Sequence, residues 1–279
     1  MIDPDNIDQR TVNSFGDEWS RFDQVEISGA EALKVFNEYF AVFPWDLLCE
    51  KSEGFDMGCG SGRWARLVAP RVGLLHCVDP SIAISIAMKN LSQFENVKFH
   101  HSSVSLSGIR PASQDFGYSL GVLHHVPDTL QAIRSCVDLL KPGAPLLLYL
   151  YYALDNRPFW FRALWKVSDC VRRLIFRLPN QLKELVTDFL ALILYLPLAR
   201  ICRVLERSGV DVSGVPLSYY RDHTFYTMRT DARDRFGTPL EQRFTKAQIS
   251  QMMIEAGLCN LRFSDSAPFW CVVGYRGKA

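Results

Sequence analysis

Short apolar runs alternate with amphipathic segments over residues 51–153. The runs "GFDMG", "LLHCVD", "VKFHH", "DFGYSLGVL" and "PLLLYLYY" predict strands, and "RWARLVA", "SIAISIAMKNL" and "TLQAIRSCVDLL" between them predict helices. Alternating strands and helices form parallel units with right-handed crossovers. Because several strands are almost wholly apolar, both faces of the sheet are expected to be buried.

The pattern changes outside this region. "SGAEALKVFNEYF" predicts a helix with Ser28 as N-cap and Glu31 completing a capping box. Residues 155–207 have a helical, basic and amphipathic pattern, and the stretch "PLSYYRDHTFYTMRTDARDRFGTPLEQRF" that follows reads as a polar, aromatic-rich loop. The helix "TKAQISQMMIEAG" and two strand-like runs, "NLRFSD" and "FWCVVGYR", predict a C-terminal helix and antiparallel hairpin.

These patterns predict one elaborated domain in four segments. Residues 1–50 form an N-terminal lid and helix, and residues 51–153 form a ligand-binding core. Residues 154–240 form a helical cap and substrate loop inserted into that core, and residues 241–279 complete it.

The charge is balanced overall but uneven along the chain. A net charge of +1 gives no reason to expect nucleic acid as a partner. Residues 157–207 carry ten bases and four acids, a net of +6. Such helices either dip an apolar face into lipid or pack their apolar faces on each other and on the sheet. We favour packing, and peripheral membrane contact stays open.

Composition indicates an intracellular protein. The eight cysteines include no C-x-x-C pair, which is typical of free thiols in a reducing compartment and gives no metal site. The N-terminus "MIDPDNIDQR" lacks the apolar core of a secretory signal. The most lipid-like uncharged runs, "FLALILYLPLA" and "PGAPLLLYLYYAL", are too short to span a bilayer. We therefore predict a cytoplasmic location.

The stretch "GFDMGCGSGRW" places Gly58, Gly60 and Gly62 between a strand and a helix. Glycines at such a turn permit positive φ and close approach of a ligand to the backbone. A nicotinamide-dinucleotide fingerprint needs a glycine where Arg63 stands, so an oxidoreductase is disfavoured, and the lysine of a phosphate-binding loop is also missing. Asp79 ends the second strand, where a carboxylate can accept hydrogen bonds from ribose hydroxyls.

Four motifs in order carry a family resemblance: "FDMGCGSG", the acid of "CVDPS", "DFGYSLGVLHHVPD" and "LLKPGAPLLLY". Together they resemble class I S-adenosylmethionine-dependent methyltransferases, in particular the small-molecule group related to ubiquinone/menaquinone-type enzymes. The resemblance covers residues 50–153 and, more weakly, 241–279. It implies an α/β fold: a Rossmann-like, seven-stranded, mostly parallel sheet with a C-terminal antiparallel hairpin and a helical cap insertion.

The resemblance also implies S-adenosylmethionine as cofactor, with S-adenosylhomocysteine as product. Gly58, Gly60 and Gly62 would line its methionine part, Asp56 would steady the loop or the amino group, and Asp79 would hold the ribose. Where the family usually has an adenine-binding acid, this chain has Ser103 followed by Val104. The predicted cofactor site comprises Asp56, Gly58, Cys59, Gly60, Gly62, Asp79, Pro80, Ser103, Val104, Leu120 and Gly121.

The acceptor atom is less constrained. The place after the fourth strand lacks the N/D-P-P-Y/F motif usual in methyltransferases acting on DNA bases or protein amides, which argues against those substrates. His124 and His125 lie there instead, and either could be a general base or only cap the strand. If one is catalytic, we choose His125. We predict methyl transfer to a hydroxyl or activated carbon of a hydrophobic or glycosylated small molecule; the alternative is a noncatalytic cofactor-binding subunit. The oligomeric state is left open.

Aromatic and cationic side chains nominate a substrate site. The segment 219–229 could clamp an anionic or polyhydroxylated acceptor, or its arginines could pair with neighbouring aspartates. Trp19 could form a lid over the cofactor or staple the N-terminus to the core. The predicted substrate-binding residues are Trp19, Tyr152, Tyr219, Tyr220, Arg221, His223, Tyr226 and Arg229.

Overall fold

The computed structural model of the protein describes residues 5–24 and 28–278. Its strands are β1 Glu53–Met57, β2 Leu74–Val78, β3 Val97–His100, β4 Phe116–Leu120, β5 Pro145–Tyr149, β6 Leu258–Phe263 and β7 Cys271–Arg276. Its helices are α1 Gln9–Arg21, α2 Gly29–Tyr39, α3 Ala65–Val68, α4 Ala83–Asn90, α5 Thr129–Leu139, α6 Phe159–Ile175, α7 Asn180–Leu190, α8 Leu196–Arg207, α9 Phe225–Gly237 and α10 Lys246–Glu255. A π-helical segment, Ala191–Tyr195, joins α7 to α8.

The strands form a seven-stranded sheet in the order β3-β2-β1-β4-β5-β7-β6. The pairs from β3 to β5 are parallel, whereas β7 is antiparallel to both β5 and β6. The predicted mostly parallel sheet with a C-terminal antiparallel hairpin is therefore confirmed.

Both faces of the sheet are buried. One apolar layer joins the sheet to α2, α3 and α4, and the other joins it to α5 and α10. Strand β5 shows the alternation: Leu147 points into the first layer, while Leu146 and Leu148 point into the second. Because every parallel strand ends at the same edge, the polar residues that follow β1, β2, β3 and β4 are collected there.

The chain divides into two compact units. One, the sheet unit, comprises Met1–Gln24, Ala32–Ala153 and Leu240–Ala279; the other, the helical unit, comprises Val25–Glu31 and Leu154–Pro239. The helical unit has its own apolar core, made where α6, the π segment and α8 meet α9. The residues of this core are Ile175, Ala191, Tyr195, Ala199, Met228, Ala232 and Phe236.

Two helices were not predicted. The stretch expected to be a polar loop contains α9, which is N-capped by Thr224 and buries Met228, Ala232 and Phe236 at four-residue spacing. Helix α1 lies in the N-terminal stretch of interspersed aromatics and begins after Asp8, whose carboxylate accepts from Thr11 N at 2.8 Å. The many charged residues of α9, and the buried Thr11, Ser14 and Glu18 of α1, hid both helical patterns.

The start of α2 follows the predicted capping only in part. Ser28 Oγ accepts from the Glu31 backbone N–H at 3.2 Å, which confirms Ser28 as the N-cap. Glu31 Oε1 accepts from Thr227 Oγ1 at 2.8 Å and from Thr224 N at 3.1 Å. The Glu31 side chain therefore holds the start of α9 within the helical unit.

The prediction that no segment could span a bilayer was wrong by the criteria of length and composition. The apolar run "FLALILYLPLA" lies inside one continuous helix, Asn180–Arg207, of 28 residues. The most apolar stretch of this helix is only 28% buried. The uncharged run in the sequence is shorter than the helix, because isolated charged residues interrupt the run without ending the helix.

Candidate functional site

The turn between β1 and α3 is built from glycines that no other residue could replace without strain. Gly58, Gly60 and Gly62 have φ values of +82°, +53° and +82°. A Cβ on Gly58 would lie 2.4 Å from Val122 Cγ1, and one on Gly62 would lie 2.8 Å from Leu91 Cδ1. The absent side chains leave a backbone cradle at the carboxyl end of β1, as a closely bound ligand requires.

Asp56, on β1, has a buried side-chain carboxyl group. It is 1% exposed, and neither of its oxygens has a hydrogen-bond partner among the described residues. Its pKa is raised to about 8, chiefly by burial and also by the nearby charge of Asp79, although the Tyr118 hydroxyl and the charge of Arg63 oppose the rise. A buried acceptor without a donor is costly, and a cationic ligand group would satisfy it.

Asp79, at the end of β2, holds the glycine turn in place. Its Oδ2 accepts from Gly60 N at 2.9 Å, and its Oδ1 accepts from Ser81 N at 2.9 Å and from Ser81 Oγ at 2.6 Å. Burial raises the pKa of this carboxyl group, and these hydrogen bonds oppose that rise. A carboxylate has about four acceptor directions, so one further donor such as a hydroxyl can be accommodated.

A row of unsatisfied serine hydroxyls follows β3. The Oγ atoms of Ser102, Ser103 and Ser105 are buried and have no hydrogen-bond partner among the described residues. Val104, between them, is 8% exposed. Ser61 Oγ, in the glycine turn, is likewise buried without a partner there. Hydroxyls both donate and accept, so this wall suits a heteroaromatic or ribose group.

The strand β4 ends in the Leu120–Gly121 backbone. Gly121 has a φ of +81° and donates its N–H to Tyr149 O at 3.0 Å. Leu120 is buried. This turn directs the chain from the sheet into the histidine pair.

His124 and His125 are buried with their rings 3.9 Å apart. His125 Nδ1 lies 2.6 Å from Leu240 O. Since a carbonyl only accepts, Nδ1 carries the proton, and Nε2 carries the lone pair in the neutral ring. His124 Nδ1 accepts from Tyr151 N at 3.4 Å, so its buried Nε2 carries the proton. Burial, together with the charges of His125 and Arg243, lowers the pKa of His124 well below its usual range, so this ring is neutral.

Helix α1 crosses the same edge of the sheet. Asn6, just before it, exchanges hydrogen bonds with the Asp128 backbone, and Phe15 contacts the His125 ring edge-on with centroids 4.9 Å apart. The Trp19 indole covers Gly60, because a Cβ on Gly60 would lie 3.1 Å from Trp19 Nε1. Trp19 of the sheet unit therefore lies against the glycine turn.

These features fit S-adenosylmethionine. The glycine cradle and the buried carboxylate of Asp56 would receive the methionine part of that molecule. The acid at the end of β2 would receive the ribose, and the wall of unsatisfied hydroxyls would border the adenine. Among the described residues there is no group of three or more His, Cys, Asp or Glu side chains that could hold a metal ion.

Comparison with known proteins gives the same answer. Residues 55–148 match the family model of a methyltransferase domain. The chain is 27% identical over 179 residues to the ubiquinone biosynthesis O-methyltransferase of Xanthomonas campestris, covering 63% of this chain and 71% of that protein. The chain is a class I S-adenosylmethionine-dependent methyltransferase. Its cofactor is accordingly S-adenosylmethionine.

Solved structures confirm the Rossmann-like fold of this methyltransferase. A SAM-dependent methyltransferase of Thermotoga maritima, described as a possible histamine N-methyltransferase, superimposes with a TM-score of 0.51 at 15% identity, over 95% of this chain and 98% of that one. The carbon methyltransferase CurJ gives 0.52 at 13% identity, over 99% of this chain and 62% of that one. The two names describe different acceptor atoms, so the shared fold leaves the acceptor open.

The residues nominated for substrate binding fall in both units of the methyltransferase. Trp19 and Tyr152 belong to the sheet unit, and Tyr152 packs near Phe269 and Trp270. The remaining six belong to the helical unit: Tyr219, Tyr220, Arg221, His223, Tyr226 and Arg229. The sequence prediction placed these six residues in one substrate site with Trp19 and Tyr152. It did not show how many of the six already bind other side chains of the protein.

Three of the six have polar partners inside the helical unit: the two arginines form ion pairs, and His223 forms a hydrogen bond. Arg221 Nε pairs with Glu206 Oε2 at 2.7 Å, and Arg229 makes two hydrogen bonds to Asp188, of 3.1 and 2.8 Å. His223 Nδ1 lies 3.1 Å from Glu31 Oε1. These contacts hold residues 219–229 in one conformation. If these residues bind substrate, they must therefore do so as a preformed surface.

Sequence reasoning missed several parts of the site. Ser61, Ser102 and Ser105 were not nominated, although "GSG" and "HHSSVS" place hydroxyls beside predicted ligand-binding turns. The Leu240 carbonyl that orients His125 lies 115 residues away, and no local pattern signals it.

Proposed function

We propose that the methyltransferase transfers the methyl group to a hydroxyl oxygen of a small hydrophobic molecule. The observation that carries the proposal is the orientation of His125: its Nδ1–H is held by Leu240 O at 2.6 Å, which leaves the lone pair on Nε2. A histidine whose tautomer is fixed by a third group is the usual arrangement of a general base. The named O-methyltransferase relatives support oxygen as the acceptor atom.

We assign the cofactor-holding residues as follows. Asp56 receives the amino group of the methionine part, the backbone of Gly58, Cys59, Gly60 and Gly62 lines that part, and Asp79, with Pro80 beside it, receives the ribose. Ser103 and Val104 border the adenine, and the Leu120–Gly121 backbone lies under the reacting centre. When bound, the cofactor supplies the electrophilic methyl group.

The histidine pair then has two complementary roles. His125 Nε2 takes the proton of the acceptor hydroxyl, because that nitrogen has the lone pair. The buried His124 Nε2–H donates a hydrogen bond to the acceptor. Removing the hydroxyl proton raises the nucleophilicity of the oxygen, and general base catalysis of this kind contributes about 10²–10⁴-fold.

The test uses purified protein, methyl-labelled S-adenosylmethionine and a matched acceptor panel. The panel is a 4-alkylcatechol, the alkylbenzene without hydroxyls, an alkylaniline and an alkyl β-diketone. We expect label in the catechol product only. Label in the diketone and not in the catechol would instead assign the activated-carbon chemistry.

The base is tested with His125→Asn. We expect kcat to fall by about 10²-fold or more and the pH dependence of the remaining activity to flatten, because the proton acceptor is gone. S-adenosylhomocysteine affinity, measured by calorimetry, should stay near that of the wild type, which controls for folding. Unchanged kcat in His125→Asn would remove the base from the proposal.

A further inference from the structure

The helical unit exposes an unusual amount of apolar surface along α6. Trp160, Leu164, Val167, Val171 and Leu174 recur at helical spacing on one side and are between 41% and 67% exposed. Asp169, Arg172 and Ile175, on another side, are buried. The helix therefore has one buried face and a separate apolar stripe that no part of the described chain covers.

The long helix Asn180–Arg207 repeats this arrangement. Ala191, Tyr195, Ala199 and Cys202 are buried on its inner side. Its outer side is an apolar stripe that is between 45% and 67% exposed, formed by Leu182, Leu185, Phe189, Leu192, Ile201 and Val204. The sequence-based preference for helices that bury their apolar faces against each other was thus wrong for these two stripes.

The charge exposed on these helices is almost entirely positive. Within residues 157–207, the exposed bases are Arg162, Lys166, Arg173, Arg177 and Arg207, and Glu206 is the exposed acid. Asp169 is buried against Arg172 and Asp188 is paired with Arg229. A helix that exposes an apolar stripe and carries basic side chains on its polar face has the pattern of a helix lying in the surface of an anionic bilayer.

The inner contacts of the long helix decide against a spanning orientation. Asp188 forms its ion pair with Arg229 of α9, and Arg200 donates to the carbonyl oxygens of Arg221 and His223 at 2.9 and 3.2 Å. Helix α9, which packs along this side, carries five charged side chains. Crossing the bilayer would take these charged groups into hydrocarbon, where charged side chains are costly.

We propose that the exposed stripes of α6 and of helix Asn180–Arg207 form a docking surface for an anionic lipid bilayer, with both helices lying in its interface. The apolar side chains enter the headgroup–acyl boundary while the basic residues pair with lipid phosphates. Docking needs no cofactor or acceptor, so it stands or falls independently of the proposed acceptor chemistry.

The first test measures partition of the purified full chain onto vesicles. Vesicles of phosphatidylcholine with one quarter phosphatidylglycerol are compared with pure phosphatidylcholine by co-sedimentation. The variant Leu185→Ser/Ile201→Ser removes two stripe residues that are 67% and 54% exposed. The matched control is Leu47→Ser/Ile254→Ser, at residues 57% and 58% exposed in the sheet unit. We expect the stripe variant to partition about tenfold or more weakly, and the control to match the wild type.

The second test separates charge from apolar insertion. Arg162→Gln/Lys166→Gln should lower partition onto the anionic vesicles by about tenfold and leave partition onto neutral vesicles unchanged. The exposed pair Lys98→Gln/Arg134→Gln, in the sheet unit, is the control for net charge.

Three results would overturn the proposal. The first is no vesicle binding by the wild type, or equal loss in stripe and control variants. The second is self-association in sedimentation equilibrium that the stripe variant abolishes, which would assign the stripes to a second copy. The third is bound protein that resists extraction at high pH and needs detergent, which would show a spanning helix.

Discussion

Asp56 is a residue whose pKa departs far from its ordinary value. Its position before the glycines marked it in the sequence, because a carboxylate beside a ligand-binding turn is recognisable locally. The sequence did not show that both oxygens are buried without partners, since this follows from Tyr118 and the rest of the sheet closing around it. The burial of the Asp56 carboxylate could be seen only in the tertiary structure.

We predict that Asp56→Asn stabilises the cofactor-free protein at alkaline pH. With a pKa of about 8 in the folded state and an ordinary value of 3.8, the native protein keeps a proton that the unfolded chain releases. The free energy of unfolding therefore falls as pH rises from about 4 to 8. Asparagine lacks this titration, so its advantage over wild type should grow by about 2 kcal/mol or more across that window.

Urea unfolding of both proteins at pH 5 and pH 8.5 measures this difference, and the comparison cancels the titrations that the two proteins share. The same variant should bind S-adenosylhomocysteine more weakly, because the amide cannot pair with an ammonium group as a carboxylate does. Parallel stability profiles for the two proteins would show that Asp56 is ionised in the native state.

At the scale of elements, the β1–α3 turn was the part most readable from sequence. Three glycines between an apolar run and a helical segment leave few conformations available, and the structure gives all three a positive φ. Helix α3 itself is only four residues long, which the pattern "RWARLVA" did not reveal. The turn was predictable because its chemistry is local, whereas the helix length depends on packing.

Gly58→Ala should separate crowding from backbone strain. The new Cβ would lie 2.4 Å from Val122 and would also require a φ of +82°. Gly108→Ala has a φ of +71° but nothing within 4 Å, so it carries only the conformational cost. We expect about 1 kcal/mol lost at Gly108 and about 3 kcal/mol or more at Gly58 in chemical denaturation. Equal losses at the two positions would mean that Val122 moves aside freely.

Helix α1, which carries Trp19, is the subject of a second prediction at this scale. Trp19 covers Gly60, and Arg63 lies 5.9 Å above the Trp19 ring. Trp19→Ala should weaken S-adenosylhomocysteine binding about tenfold, mainly through faster dissociation, because the indole no longer shields the turn. Asn13→Ala, at an exposed position of the same helix, is the control. Stopped-flow dissociation rates that match in both variants would make Trp19 a staple for the N-terminus and not a lid.

At the scale of the whole molecule, sequence reasoning located the sheet region and the change to a helical region, but it missed α1 and α9. The alternation of strands and helices over residues 51–153 gave the sheet, and its loss near residue 155 marked the change to helices. The partners inside the helical unit, such as Arg229 with Asp188, join residues 41 positions apart and had no local signature. The residues nominated for acceptor binding stay a prediction.

Hydrogen exchange can test the cofactor assignment across all described residues at once. Every residue that we assign to the cofactor belongs to the sheet unit. Saturating S-adenosylhomocysteine, at about 100 times its Kd, should stabilise the native state by about 2.7 kcal/mol through linkage. The largest local protection should fall at residues 57–62, 79–81, 102–105 and 120–122. These segments form the glycine cradle or contain the other residues that we assign to the cofactor.

Asp79→Ala provides the matched comparison, because that carboxylate anchors Gly60 and Ser81. The variant should lose ligand-induced protection at 57–62 and 79–81, while peptides of α5 and β5 keep their wild-type exchange without ligand. Protection at residues 219–229 after addition of cofactor product alone would place the substrate segment under the influence of the cofactor. Protection there only after an acceptor is also added would support the substrate role of Tyr219, Tyr226 and their neighbours, since ordering would then depend on the molecule that they recognise.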